Sequence, residues 1–290
     1  QKTAYEIRLS LVGSEMCIRD SYNDTVINDP SSIPDVLYKY RDWENDHHKR
    51  ILTEFELYFP SVDQFNDPFD GSIPIRYRKG DLTPSNVFQK LYKTAKENFP
   101  DLTEMEIHEK CFESQNIGYI IDENHMEKVY KEYQIKKIKK IGIFSFTNSC
   151  NNHLMWSHYS NSHKGFCIGF KIPELKNLIG KDWGIFSLYY EKELPYIELN
   201  EDYMVFTKKL LCTKSDVWEY ELEYRIIRYD FARKILKITP EAVSEVIFGV
   251  MMEYDTKMEI LELIKSNFPE TKVFEAKRNK DFFKLDIGLI

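Results

Sequence analysis

The stretch Ile143–Phe170, IFSFTNSCNNHLMWSHYSNSHKGFCIGF, decides how this chain is read. Its flanks, Ile141–Thr147 and Gly165–Lys171, are short apolar and aromatic runs that predict strands. Between them, Asn151–Ser160 has helical spacing. Met155 meets Tyr159 at i, i+4 and Trp156 meets Tyr159 at i, i+3. The unit is strand, helix, strand, and it carries hydroxyls, amides and the histidines His153, His158 and His163. Ser145 and Thr147 point to one side of the first strand. Such a unit can stack a planar ring on Trp156 or Tyr159 and hold polar groups beside it. The alternative is that Met155, Trp156 and Tyr159 are core.

Outward from this unit, the same periods predict further elements. Val36–Tyr40 reads as a strand ending at Arg41, Trp43–Glu54 as a helix and Phe55–Phe59 as a strand closed by Pro60. Leu82–Lys139 reads as a mostly helical insertion. Thr83-Pro84 opens it, since proline tolerates the first helical position, and Thr103–Glu106 has the form of a capping box. Strands are predicted at Gly184–Tyr190, Tyr224–Tyr229 and Ser244–Val250, then an amphipathic helix at Asp255–Phe268, then Lys272–Glu275 and Phe282–Ile287. Short connections and half-polar strands imply an α+β fold, with helices packed on a mixed or antiparallel sheet. We read residues 22–290 as one such domain with its insertion at about 82–139. Gln1–Ser21, QKTAYEIRLSLVGSEMCIRDS, resembles a translated sequencing-adapter scar and is set apart; the alternative is a genuine strand and turn.

A second polar segment is Lys214–Arg225, KSDVWEYELEYR. From Trp218 it alternates, which predicts a strand with Trp218, Tyr220, Leu222 and Tyr224 on one side. Glu219, Glu221, Glu223 and Arg225 take the other. One reading is a solvated acidic face with Arg225 pairing Glu223. The other is a catalytic Glu-x-Glu strand, in which a carboxylate stabilises an oxocarbenium-like centre. Arg41 can clamp a phosphate or carboxylate bidentately, or make a surface salt bridge. Asn66-Asp67-Pro68 is a turn sequence that serves as a structural corner or as a ligand-contacting loop. Cys150, His153, His163 and Cys167 allow a four-ligand zinc alternative, although their spacing favours no metal site.

Composition narrows the classes. The chain has 290 residues, 42% hydrophobic, and a net charge of −7, which is not the basic footprint of non-specific nucleic-acid binding. Its five cysteines include no CxxC pair, which points to a reducing compartment. No apolar run approaches the roughly 20 residues of a membrane span, and no signal-peptide pattern is present. The expectation is a cytoplasmic protein with no membrane partner.

Two resemblances follow from these motifs. LYKYR at Leu37–Arg41, LYFPSVDQFNDPFD at Leu57–Asp70, FSFT with LMWSHYSNSHKGFCIGF, and K-x3-W-x-Y-E-x-E-Y-R at Lys214–Arg225 resemble the bacterial domain-of-unknown-function family 2971. That family name carries no activity. The order of Arg, Ser-x-Thr and Glu-x-Glu also resembles, at the level of fold analogy, the arginine–serine–glutamate ADP-ribosyltransferases. That resemblance implies NAD as a substrate, with Arg41, Ser145 and Thr147 seating the dinucleotide. It also implies Glu221 and Glu223 at the nicotinamide–ribose bond, and Trp156 and Tyr159 as stacking rings. Phe146 and Arg225 depart from that pattern.

The expected function is therefore an NAD-consuming enzyme, either ADP-ribosyltransferase-like or a glycohydrolase, with catalytic Glu223 and Glu221. The ligand contacts are Arg41, Ser145, Thr147, Trp156, Tyr159 and Asn66. Two alternatives stand beside it. One is a nucleotide or small-molecule sensor of a bacterial defence or stress system. The other is a metal-dependent nucleic-acid-processing enzyme using Asp67, Asp70, Glu221 and Glu223. Nucleic acid remains possible as an acceptor, although charge does not indicate it.

Overall fold

Period-2 runs of aromatic and branched residues form the strands, and helices form where the period lengthens. A computed structural model describes residues 33–74, 76–116, 118, 131–132, 137–179, 183–199, 201 and 203–290. The adapter-like segment 1–21 lies outside them, as does part of the helical stretch after residue 116.

In chain order the first elements are β1 (Val36–Arg41), α1 (Asp46–Thr53), β2 (Glu56–Phe59), α2 (Pro84–Asn98) and α3 (Glu104–Asn116). Then come β3 (Gly142–Thr147), α4 (His153–Tyr159), β4 (Phe166–Lys171), α5 (Ile172–Ile179), β5 (Trp183–Ser187) and β6 (Tyr189–Glu191). The rest are α6 (Tyr203–Cys212), β7 (Thr213–Ser215), β8 (Glu223–Arg228), β9 (Lys234–Lys237), β10 (Val243–Phe248), α7 (Tyr254–Asn267), β11 (Lys272–Arg278) and β12 (Leu285–Leu289).

The chain divides into two compact units. One contains the described residues up to Ser61 with Ile141–Tyr190 and Asp216–Ile290. The other contains Val62–Lys140 and Glu191–Ser215. The helical stretch predicted as an insertion thus belongs to a unit that also takes in Glu191–Ser215, which the sequence did not link to it.

The first unit holds an eight-stranded sheet in the order β12-β11-β10-β4-β1-β3-β8-β5. Neighbours are antiparallel except β10 and β11, which run parallel and are joined through α7. This is the mixed sheet of an α+β fold that the pattern predicts. Both faces are covered, so β4 (FCIGFK) is apolar almost throughout. One face carries Leu37, Phe144, Phe146, Phe166, Ile168, Phe170, Ile226 and Phe248. These pack with Ile51 and Leu52 of α1, Leu175 and Ile179 of α5 and Ile260 and Ile264 of α7. The opposite face carries Tyr40, Cys167, Ile247 and Ala276 under Met155 and Trp156 of α4. Two glycines let backbones touch at one sheet end. A Cβ on Gly165 would lie 2.1 Å from the Arg41 carbonyl oxygen, and one on Gly249 2.1 Å from that of His163.

The second unit has its own core, with Val87, Leu91 and Ala95 of α2 packed with Ile107 and Cys111 of α3 and with Leu199. The Thr83 hydroxyl accepts the Asn86 N–H at 3.2 Å, and Pro84 stands at the first helical position. Thr103 and Glu106 form the reciprocal capping box: the Thr103 N–H reaches Glu106 Oε2 at 2.8 Å and the Glu106 N–H reaches Thr103 Oγ1 at 3.3 Å.

Candidate functional site

The Glu-x-Glu segment departs from its sequence pattern. Asp216–Glu221 is a 3-10 turn, Leu222 has φ of 44°, and the strand begins only at Glu223. Glu219, exposed, is therefore not aligned with the other acids. The cause is tertiary. Asn152, which caps α4, donates its side-chain amide to the Tyr220 carbonyl at 2.7 Å, and the Asn148 N–H donates to the Leu222 carbonyl at 3.1 Å. The carbonyls an extended strand would offer to a ladder are taken by the loop before α4.

Register then gathers a polar belt on the α4 face of the sheet. Tyr38 of β1 pairs with Thr147 of β3, Thr147 with Glu223 of β8, and Ser145 with Arg225. Arg225 is fully buried and grips Glu223 with Nε at 2.7 Å and Nη2 at 3.1 Å. This pair is a buried, two-pronged contact rather than the solvated one the sequence allowed. Glu221, 4% exposed, accepts the Tyr159 hydroxyl at 2.5 Å. Burial, then the adjacent Glu221 carboxylate, hold the Tyr159 hydroxyl far above the usual phenol range. The Glu223 N–H donates to the Tyr190 hydroxyl at 2.8 Å. Five expected site residues, Ser145, Thr147, Glu221, Glu223 and Tyr159, are thus brought together.

Three are not. Arg41 shares its face with Leu37 and Lys39, so the sheet itself separates it from the carboxylates. It also lies three residues, about 10 Å, along β1 from Tyr38. Trp156 is fully buried, donates its indole N–H to the Cys150 carbonyl at 3.0 Å and meets the Tyr40 ring edge-on. No face of Trp156 is open to a ligand, and its ring packs in the core with Met155. Asn66 is exposed in the other unit, in a turn where Asp67 Oδ1 accepts the Phe69 N–H at 2.9 Å, a structural corner.

Arg41 has surroundings of its own. β1 and β4 share six register pairs, whereas β1 and β3 share one, and beyond it the strands part. Lys39 donates its amine to the Ser145 carbonyl there, at 2.5 Å. Arg41 Nε is enclosed without a hydrogen-bond partner, and among the described residues the side chain makes no ion pair. Burial alone pushes its pKa down to about 10. His48 of α1 accepts the Asp42 N–H at 3.2 Å. Burial, then the charges of Arg41 and Lys39, push the His48 imidazole down to about 4. The result is a cationic side chain whose Nε is buried and which makes no ion pair among the described residues.

The metal alternatives are not supported by placement. Cys167 is fully buried on β4, its thiol pushed up by burial. Among the described residues no group of three His, Cys, Asp or Glu side chains is arranged to hold a metal ion. The sequence reading missed Tyr38 and Tyr190, yet the alternation in Leu37–Arg41 already put Tyr38 and Tyr40 opposite Arg41.

The sequence profile of the family described as Protein of unknown function (DUF2971) matches residues 155–226, from Met155 on α4 to Ile226 on β8. The match therefore spans the helix and the strand that build the polar belt. No curated protein and no solved structure matches the chain significantly. Among the described residues no helix is long and apolar enough to cross a membrane.

Proposed function

We propose that the protein binds a small anionic ligand of the nucleotide class, with Arg41 as the anchor for its negative charge. The observation that supports this is a half-buried guanidinium whose Nε is enclosed without a hydrogen-bond partner and which makes no ion pair among the described residues. Leaving a desolvated cation uncompensated is costly, and an oxyanion held two-pronged by the guanidinium fork removes that cost. The Lys39 amine, on the same strand face, adds to the local positive potential, while the depressed His48 keeps a neutral imidazole beside it. Thermal-shift titration with adenine nucleotides and NAD tests the reading. A nucleotide stabilises the wild type and fails to stabilise Arg41→Met. No stabilisation by any nucleotide sinks the proposal.

A second reading, NAD consumption, is favoured by a different observation: β3, with Ser145 and Thr147, is a direct neighbour of β8, with Glu223, and Glu221 ends the turn that leads into β8. In this reaction the C1′–N bond to nicotinamide breaks with its electron pair leaving on the pyridine nitrogen. Water, or an acceptor nucleophile, then bonds to the oxocarbenium-like C1′ and releases a proton. Both oxygens of Glu223 are engaged by Arg225, so this reading assigns the stabilising carboxylate to Glu221. Nicotinamide release from NAD is the measurement. Glu221→Gln slows it by about a hundredfold or more, in the range of a lost electrostatic stabiliser. A wild type that releases none excludes this second reading while leaving the binding proposal to its own test.

A further inference from the structure

We propose that the end of the sheet formed by the β11–β12 hairpin docks on an anionic lipid surface. The hairpin tip exposes two consecutive aromatic side chains, Phe282 at 70% and Phe283 at 104% relative exposure. They are held out by an ordered turn. Asn279 Oδ1 accepts the N–H groups of Asp281 at 2.9 Å and Phe282 at 2.8 Å, its side-chain amide reaches Asp286 at 2.7 Å, and its N–H closes on the Lys284 carbonyl at 3.1 Å. The rings are presented by a fixed frame instead of being left out by a loose one.

Topology adds to the patch. β10 and β11 are parallel, with Phe248 beside Glu275, so the segment after β10 emerges at the same sheet end as the tip. That segment exposes Met251 and Tyr254. Charge surrounds the rings. Residues 277–286, KRNKDFFKLD, carry four cations against two acids, in a chain whose net charge is −7. Lys277 has the half-buried Glu275 at 3.5 Å and Lys284 the exposed Asp286 at 3.6 Å. Arg278 and Lys280 make no ion pair among the described residues. Apolar side chains at a tip with cations behind them match a bilayer interface, where rings enter the headgroup boundary and cations meet anionic lipid. A nucleic-acid backbone takes up the cations but gives Met251 and the paired phenylalanines no apolar environment. Docking of this kind needs no spanning helix, so it departs from the sequence expectation of no membrane partner, which rested on the lack of an apolar run.

Flotation of the full chain with vesicles of phosphatidylcholine alone, or mixed with phosphatidylglycerol, tests this. The wild type floats with the mixed vesicles, and rising salt releases it. The Phe282→Ser, Phe283→Ser double variant loses about tenfold or more in vesicle affinity, given the apolar area two rings bury. The Arg278→Glu, Lys280→Glu variant loses the preference for anionic lipid. All four positions are exposed, and unchanged thermal melts verify the fold. The proposal is overturned if the wild type does not float, if the serine variant floats equally well, or if the tip residues instead govern retardation of DNA or RNA.

Discussion

The two faces of the central sheet treat arginine in opposite ways. Under α4, Arg225 is buried with Glu223 on its fork, and Glu221 accepts the Tyr159 hydroxyl. On the other face, two strands away, Arg41 is half-buried and makes no ion pair among the described residues. The acidic Glu-x-Glu run therefore folds around an internal Glu223–Arg225 pair, whereas an isolated arginine at a strand end keeps an unspent charge. Charge left over after folding is a better pointer to a ligand than charge density along the chain, because internal pairs consume the second but not the first.

Substitutions can break this contrast. Arg225→Met strands the Glu223 carboxylate in the interior and lowers stability by about 3–5 kcal/mol in urea unfolding. The same change at Arg41 removes an uncompensated cation, so the unfolding free energy stays within about 1 kcal/mol of wild type or rises. Equal losses at the two sites erase the distinction between the faces. Tyr159→Phe removes the hydroxyl from the buried Glu221 carboxylate and costs about 1–2 kcal/mol by the same measurement. An unchanged midpoint means that other contacts hold Glu221.

The smallest effect concerns His48. Its folded pKa is pushed from 6.5 down to about 4, so the unfolded chain takes up this proton first as pH falls. Its contribution is intact above pH 6.5, declines between 6.5 and 4, and levels off below. Removing the Arg41 charge moves the His48 midpoint, followed by NMR, back toward 6.5. A midpoint that does not move places Arg41 out of electrostatic reach of His48.

Much of the frame was legible from period alone. β1, β3, β4, α4 and α7 lie where alternation and helical spacing put them, and the Thr83 and Thr103 caps mark the starts of α2 and α3. α5 escaped because Pro173 reads as a breaker, although it stands in the first turn, where proline is tolerated. The run from Trp218 to Arg225 satisfied the strand period and still turned, because Asn152 and Asn148, some seventy residues earlier, claim its carbonyls. The site was half legible. Alternation placed Ser145 with Thr147 and Arg41 opposite Tyr38, but only the Tyr38–Thr147 register says which of them share a face. No local pattern carries that relation.

The central place of β1 also has a consequence for how the chain is made. β1 ends at Arg41, yet its two neighbours, β3 and β4, begin at Gly142 and Phe166, roughly a hundred residues later. At about 5–20 residues per second, a ribosome leaves both edges of this strand unpaired for about 5–20 s. Large loop closures must then precede its pairing, which places the chain among slow folders of high contact order. During that interval Leu37 and Tyr40, buried in the folded protein, are exposed, and the unpaired edges of β1 are a template for a strand of another molecule.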